Sequence, residues 1–274
     1  MTAGIWEIDL HGKNDYQARV AVDAALRRAK GISQETLADG ICSMWIQTGS
    51  IAKEARPGQF ISVYCKDGSR MLPRPISICE IKEDQLRIVY RVVGKGTEEF
   101  AAYTAGMDIE IAGPLGNGFP LDREGTAVVV GGGIGVPPML ELAKQLPGKK
   151  IAVMGYRNNQ LFLKEQFDEA TDEVYVATED GSAGTKGNVI DAMKANGVKA
   201  DVLYACGPMP MLRALKAYAE ENGMEAWISL EEKMACGIGA CLACVCKSKE
   251  KDEHTNVNNK RICKEGPVFN AQEV

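Results

Sequence analysis

Between residues 127 and 231 the chain alternates short apolar runs with amphipathic stretches, and this pattern restricts the fold more than any other feature. AVVVGG (127–132), IAVMGY (151–156), VYVATED (174–180), DVLYACG (201–207) and EAWISLE (225–231) read as strands. PPMLELAKQL, LFLKEQFDEA, NVIDAMKAN and MLRALKAYAEENG, set between them, read as helices. Strands that are apolar at successive positions are buried on both faces. Their regular alternation with helices predicts a doubly wound parallel sheet, an α/β domain over residues 123–227. Ligands of such sheets gather at the carboxyl ends of the strands. Three of those ends are polar or glycine-rich: GGGIGVPP (131–138), EDGSAGTKG (179–187) and CGPMPM (206–211). Gly131, Gly132, Gly133 and Gly135 would let backbone approach a phosphate, with the N-terminal amides of the next helix behind them. The dinucleotide fingerprint is incomplete, since Pro138 stands where G-x-G-x-x-G has its last glycine. A plain strand–turn–helix junction could use the same glycines. Three such ends around one crevice favour a nucleotide site.

Residues 34–122 have another rhythm. ICSMWIQT, QFISVYC, PISICEI, LRIVYRV and MDIEIAG are short runs parted by Gly, Pro and charged turns, which predicts a small antiparallel barrel. Only GTEEFAAY (96–103) reads as a helix. Within this region RPIS (74–77) offers Arg74, a fork-shaped donor suited to a diphosphate, and Pro75, which stiffens the strand that aims Ser77. An exposed edge arginine is the plainer explanation. Gly94, Gly96 and Thr97 precede the helix as a second anion-ready N-terminus, although Thr97 could equally be an N-cap. Residues 1–33 form an αβ extension: IWEIDL as a strand, DLHG as a turn, and YQARVAVDAALRRA with one apolar helical face. DLHG resembles the opening motif of small MutS-related domains that act on nucleic acids, but only about a third of such a domain could be present. Residues 228–274 form a last module with a polar hairpin or loop, SKEKDEHTNVNNKR.

A chain of 274 residues with a formal charge of -5 argues against a nucleic-acid surface. The start carries Glu7 and Asp9 in place of an apolar signal core, and the longest apolar stretch, TAVVVGGGIGVPPML, is broken by four glycines and two prolines. A soluble protein of the cytoplasm is expected, with its nine cysteines in a reducing compartment. Clustered cysteines there bind metal or do redox work more often than they form disulfides.

The cluster is ACGIGACLACVCK (235–247). Cys236-x4-Cys241-x2-Cys244 with a later cysteine is the plant-type spacing of a 2Fe–2S centre. Gly237, Gly239 and Ala240 would let the loop wrap and aim amides at sulfur. Four thiolates also suit zinc, but zinc sites usually pair their cysteines in two separated knuckles. The fourth ligand is Cys246 or Cys263. Cys246 lies so close to Cys244 that the chain would have to bend sharply, so Cys263, returning after the polar loop, is the better candidate. Cys42, Cys65, Cys79 and Cys246 read as small apolar residues.

RPIS, the glycine turn and Cys-Gly-Pro together resemble the ferredoxin-reductase family, which joins an FAD-binding barrel to an NAD(P)-binding α/β domain. The resemblance implies that Arg74 meets the flavin diphosphate, that Ser77 lies near the reactive ring, and that Cys206 and Gly207 lie near the nicotinamide. A buried structural role for Cys206 is the alternative. Family members carry an aromatic residue where this chain has Ile76, so Tyr90 is the candidate for ring stacking. The order RPIS, GPLGNGFP, GGGIGVPP, GTKG, CGP, MACGIGACLAC and CKEGPVF narrows the resemblance to electron-transfer subunits of NAD-dependent dihydroorotate dehydrogenases. It implies FAD on Arg74, Pro75, Ile76, Ser77, Val89, Tyr90, Arg91, Gly96 and Thr97. It implies a 2Fe–2S cluster on Cys236, Cys241, Cys244 and Cys263, and NAD as the soluble carrier. The implied partner is an FMN-containing subunit that oxidises dihydroorotate in pyrimidine synthesis, in a two-plus-two heterotetramer. A nicotinamide exchanges two electrons and an iron–sulfur cluster one, so a flavin must stand between them. Neither an acid–base pair nor a nucleophile for an organic substrate stands out. Related subunits serving sulfide, hydrogen or ferredoxin-linked partners, and a zinc-bound interaction module, are the competing readings. YRNNQ (156–160), with one arginine, inclines to NAD over NADP. In this family a strand precedes the segment matching ISQETLADG. Here residues 28–33 would supply a shortened one, or the barrel edge would be incomplete.

Overall fold

The computed structural model describes residues 27–251 and 256–274. The DLHG turn and most of the amphipathic stretch after it lie outside the described residues.

Six strands close into an antiparallel barrel: β1 (Arg27–Ala38), β2 (Ile41–Gln47), β3 (Phe60–Val63), β4 (Arg74–Lys82), β5 (Gln85–Arg91) and β6 (Asp108–Leu115), in the order β1–β2–β5–β4–β3–β6. Short helices α1 (Ser50–Glu54) and α2 (Lys95–Ala101) cover it. The barrel edge is complete, contrary to the expectation of a shortened or missing strand. β1 runs for 12 residues, pairing with β6 from Arg27↔Ile111 to Lys30↔Asp108 and with β2 beyond that. The boundary expected at residue 34 therefore falls inside a strand. Arg27–Ala29, read as the tail of a helix, are strand for a visible reason. Ala29 and Gly31 are buried while Arg28, Lys30 and Ile32 face solvent, which is period-two alternation.

The second unit is a seven-stranded sheet in the order β10–β9–β8–β7–β11–β12, with a last strand, β15 (Val268–Asn270), on the β12 edge. Its parallel strands are β7 (Ala127–Gly132), β8 (Lys150–Tyr156), β9 (Glu173–Thr178), β10 (Thr185–Lys186), β11 (Val202–Cys206) and β12 (Glu225–Ser229). Helices α3 (Pro137–Gln145), α4 (Lys164–Ala170), α5 (Val189–Ala195) and α6 (Met209–Glu221) alternate with them. Val128, Val130, Ile151, Val153 and Leu203 pack with residues of α5 and α6. Val129, Ala152, Met154 and Tyr204 pack with α3, α4 and the barrel residues Ile41, Cys79 and Val89. Both faces of the sheet are thus covered, and each fully buried aliphatic side chain contributes about 1.5–3 kcal/mol.

β13 (Val245–Lys247) and β14 (Asn259–Arg261) form the hairpin ribbon of the cysteine module. β15 (Val268–Asn270) then pairs antiparallel with β12 at Trp227↔Asn270 and Ser229↔Val268. The module is stitched into the α/β sheet, and its expected start at residue 228 falls within β12. No helix among the described residues is long and apolar enough to cross a membrane.

Candidate functional site

β7 is central, and the chain leaves it on one side toward β8 and on the other toward β11. A crevice opens at such a switch point, beyond the carboxyl ends of the strands. Here it is a cavity of ≈ 560 Å³, walled by Gly132, Gly133 and Ile134 after β7, Arg157 and Glu179 after β8 and β9, and Gly207 and Glu231 after β11 and β12. Asp39, Gly40 and Arg91 of the barrel form the opposite wall. Gly133 (φ 56) turns the chain out of the strand, and a Cβ there would lie 3.6 Å from the Arg91 guanidinium. Prolines at the start of α3 sit where helix amides lack partners anyway.

The four glycines divide by role. Gly132 and Gly133 open on the cavity. A Cβ on Gly131 would come within 2.8 Å of the Val136 Cα, and one on Gly135 would overlap the Cys206 carbonyl. Those two let the turn pack on its own sheet. Cys206 is fully buried and does not line the cavity, and burial pushes its thiol above the ordinary range. Its placement matches the structural alternative. Arg91, expected at the flavin, lines the crevice. Glu231 was read as the end of a strand. It stands beyond the end of β12, where the strand-end rule would have marked it, and its side chain stays open to solvent. The cavity walls around it still take enough water from its carboxyl to raise it, against the pull of Arg91.

Arg74 begins β4, bonds the Leu72 carbonyl and lays its guanidinium over Gly96, so that a Cβ on Gly96 would overlap it. Pro75 pairs with Ser62, Ile76 with Ile61 and Ser77 with Phe60. The Thr97 hydroxyl is spent locally. It accepts from the amides of Val93 (2.9 Å) and Gly94 (3.2 Å) and donates to the Gly94 carbonyl (3.0 Å). Thr97 therefore occupies the third helical position and closes the cap on Gly94. Val89 and Tyr90 are buried. The Tyr90 ring meets Phe100 edge-on at 6.1 Å and 88°, and its hydroxyl accepts from Gln34 at 2.8 Å. Tyr90 is a core residue at 2% exposure, with no face to offer a flavin ring. Sequence reading also missed Glu99 as a support. It accepts from the Lys66 amide (2.6 Å), Arg70 (2.5 Å) and Tyr103 (2.7 Å), holding the β3–β4 loop on α2.

The cysteine loop brings its four expected ligands together. Cys236 interacts with the Cys241 thiol, and Cys263 with the Cys244 thiol. Backbone amides point at the sulfurs: Ala240 at Cys236 (3.3 Å), Gly239 at Cys263 (3.1 Å) and Cys263 at Cys244 (3.4 Å). Gly239 takes φ 82 to do so. Burial opposes ionisation of Cys236, but amide donors and the Cys241 thiol outweigh it and bring the thiol down to about 7. Among the described residues no three such donors surround a single ion position. The thiols thus form two contacting pairs, linked electrostatically through Cys236 and Cys263. Cys246 stands outside both pairs, on β13 opposite Lys260.

This loop rests on the barrel. A Cβ on Gly237 would lie 3.0 Å from the Ser62 hydroxyl of β3, the neighbour of β4. Asn117, just after β6, donates its side-chain amide to the Glu265 carbonyl (2.8 Å) and its backbone amide to the Gly266 carbonyl (2.6 Å). The RPIS strand thus lies between the cysteine loop and the strand, β5, that delivers Arg91 to the crevice.

Comparison with known proteins agrees with this layout. The profile of the iron–sulfur cluster binding domain of dihydroorotate dehydrogenase B matches residues 231–274. The electron transfer subunit of dihydroorotate dehydrogenase B (NAD(+)) from Fusobacterium nucleatum is 46% identical over 241 residues, 82% of this chain and 90% of that protein. Its counterpart from Geobacillus kaustophilus is 42% identical over 251 residues, 88% and 95% of the two chains. The NADH-dependent reduced ferredoxin-NADP oxidoreductase, solved in a study of flavin-based electron bifurcation, superposes with a TM-score of 0.80 at 32% identity, covering 89% of this chain and 88% of that one. A ferredoxin NADP+ reductase from Neisseria gonorrhoeae with bound FAD and NADP shares the fold at a TM-score of 0.61 and 14% identity, over 77% of this chain and 95% of that one.

Proposed function

The chain belongs to the family of electron-transfer subunits of dihydroorotate dehydrogenase B, the NAD-dependent enzyme, and on that premise we propose which of its residues carry the electrons. It is a flavoprotein subunit of an oxidoreductase and uses FAD, a 2Fe–2S cluster and NAD. A nicotinamide exchanges electron pairs, an iron–sulfur cluster single electrons, and a flavin either.

The observation that carries the assignment is the sequence of three berths across adjacent strands. Gly132, Gly133 and Gly207 cradle the dinucleotide on the crevice side. Arg74 and the α2 amides at Gly96 hold the flavin diphosphate, and the missing Cβ at Gly96 leaves the arginine its place. Pro75, Ile76 and Ser77 follow along the flavin. Cys236 with Cys241 binds one iron, and Cys244 with Cys263 the other, in keeping with the plant-type spacing Cys-x4-Cys-x2-Cys and a later cysteine. The amides of Gly239 and Ala240 stabilise charge on the sulfurs. The partner is an FMN-containing subunit that oxidises dihydroorotate to orotate in pyrimidine biosynthesis, in a cytoplasmic heterotetramer of two plus two.

Anaerobic titration of the co-purified complex tests the route. Dihydroorotate should bleach flavin and cluster absorbance, and NAD+ should restore it. Cys263→Ser should lose most bound iron while Cys246→Ser keeps it. The reverse result would replace Cys263 by Cys246 in the ligand set.

A further inference from the structure

Three charged side chains are buried between the barrel and α3, and none belongs to a berth described above. Arg87 on β5 is 5% exposed, Glu80 on β4 is 8% and Glu141 on α3 is 5%. Arg87 donates to Glu80 (2.6 Å), to Glu35 of β1 (2.9 Å) and to Ser43 of β2 (2.8 Å). The second Glu80 oxygen is bonded by Lys144 of α3. Glu141 accepts from the backbone amide of Ile81 on β4 (2.8 Å) and from Gln145 (2.7 Å).

A β-bulge makes this contact possible. Ile78 pairs with Ile88 and Glu80 with Arg87, so Cys79 is an extra residue in β4. Without it, alternation would send Glu80 into the barrel after Ile78. With it, Cys79 and Glu80 both face α3 while Ile78 and Ile81 turn to the barrel core, the re-aiming that bulges provide.

Buried ion pairs are weak sources of stability, because desolvation offsets most of their attraction. They do fix geometry, since each polar atom accepts few alternatives. Here the geometry has a use. β4 begins with Arg74–Ser77 and is held at its other end by α3. α3 in turn starts directly after the Gly133 turn that opens on the crevice. One strand and one helix, joined at Glu80–Lys144 and Ile81–Glu141, connect the flavin berth to the nucleotide berth.

We propose that Glu80, Glu141 and Lys144 are positioning residues that set the separation at which the bound nicotinamide faces the bound flavin. The proposal rests on the berths assigned above. The step it governs would move a hydride, two electrons with one proton, between the flavin N5 and the nicotinamide C4, from reduced flavin to NAD+ in the proposed direction and from NADH to flavin in the reverse, one ring being oxidised as the other is reduced. A misplacement of about 1 Å in such a step costs up to 100-fold in rate.

The test uses the complex with its partner, loaded with flavin and cluster, and anaerobic stopped-flow bleaching by NADH. Lys144→Met combined with Glu141→Gln should lower the limiting rate at least 10-fold. Half-saturating NADH should stay within twofold of wild type, flavin and iron content should be unchanged, and NADH deuterated at the transferred position should show an isotope effect at least as large as in wild type. Lys144→Arg, which keeps the charge, should stay within twofold in rate. An unchanged rate overturns the proposal. So does a fall matched by weaker NADH binding or by lost flavin, since the network would then serve a single site or the fold. A wild-type complex that binds flavin but shows no NADH-dependent bleaching would instead refute the nucleotide berth itself.

Discussion

Gly96→Ala separates cofactor binding from stability. Gly96 is a helical residue with no left-handed backbone requirement, and the obstacle to a side chain is the Arg74 guanidinium alone. That obstacle is the far end of a long side chain, which can swing away by giving up its bond to the Leu72 carbonyl, at little cost to the fold. Alanine in a helix gains up to about 1 kcal/mol over glycine, which for a chain of this size raises the melting temperature by about 2–4 °C. The displaced guanidinium is what the flavin diphosphate would lose. A hydrogen bond to a charged group contributes about 1.5–3 kcal/mol, so FAD should bind roughly 10- to 100-fold more weakly. Flavin-stripped protein titrated with FAD, followed by quenching of flavin fluorescence, measures the affinity. Heating the same preparation measures the stability. The loss should not add to that of Arg74→Ala, because the two substitutions remove one contact. Fully additive losses, or an affinity within threefold of wild type, would show that Arg74 does not bind flavin from its place over Gly96.

Two other substitutions have outcomes of opposite sign. Gly135→Ala meets backbone, the Cys206 carbonyl and, at 2.7 Å, the Gly207 Cα. The turn cannot yield as a side chain does, and we expect a loss of about 1–3 kcal/mol, read from the urea midpoint; an unshifted midpoint would show that this packing does not need glycine. Glu231→Gln acts through pH. Burial raises the carboxyl above its ordinary 4.5, with Arg91 opposing. A carboxyl raised on folding contributes its stability in full below the unfolded value and loses it as pH climbs through the folded value. The Glu231→Gln variant should therefore melt above wild type near neutral pH, and the gap should close as pH falls to about 4.5. An equal gap at both ends would mean that folding does not raise the Glu231 carboxyl.

The parallel sheet could be read from the chain because both of its faces are covered, so β7 and β11 are apolar at every position, β8 is apolar after Lys150, and the helices between them carry one clear stripe. β1 could not. Its Ala29 and Gly31 alternate with period two, but the preceding residues repeat with helical spacing, and the apolar run Ala25, Leu26 and Ala29 fits that spacing as well. Only pairing with Ile109 and Ile111 of β6 decides the matter. Tyr90 failed for a related reason. In sequence an aromatic residue near a flavin strand suggests stacking, yet its alternation partner Arg91 takes the outward position and leaves Tyr90 against Phe100. The four glycines of GGGIG are indistinguishable as letters. Gly135 is separated in function from Gly133 by the carbonyl of Cys206, some seventy positions away in the chain.

The cysteine module raises the same issue on a larger scale, since its motif names ligands without saying what surface the loop rests on. Its final strand, β15, extends the nucleotide-binding sheet through β12, while Asn117 and Ser62 seat its other end on the barrel. A module held at both ends by different units cannot swing toward one without straining the other. The buried contacts of Glu80 and Glu141 tie those two units to each other as well. Three attachments among three bodies leave no single hinge. Electron transfer between fixed centres is favoured by such a frame, because distance is set by the fold and is not searched for at each turnover. If domain rotation were instead part of the cycle, the contacts that would have to break are the Ile81–Glu141 bond and the β12–β15 pairing. Amide exchange at Ile81 and Phe269 should then speed up on addition of NADH, whereas the frame described here requires both amides to stay protected.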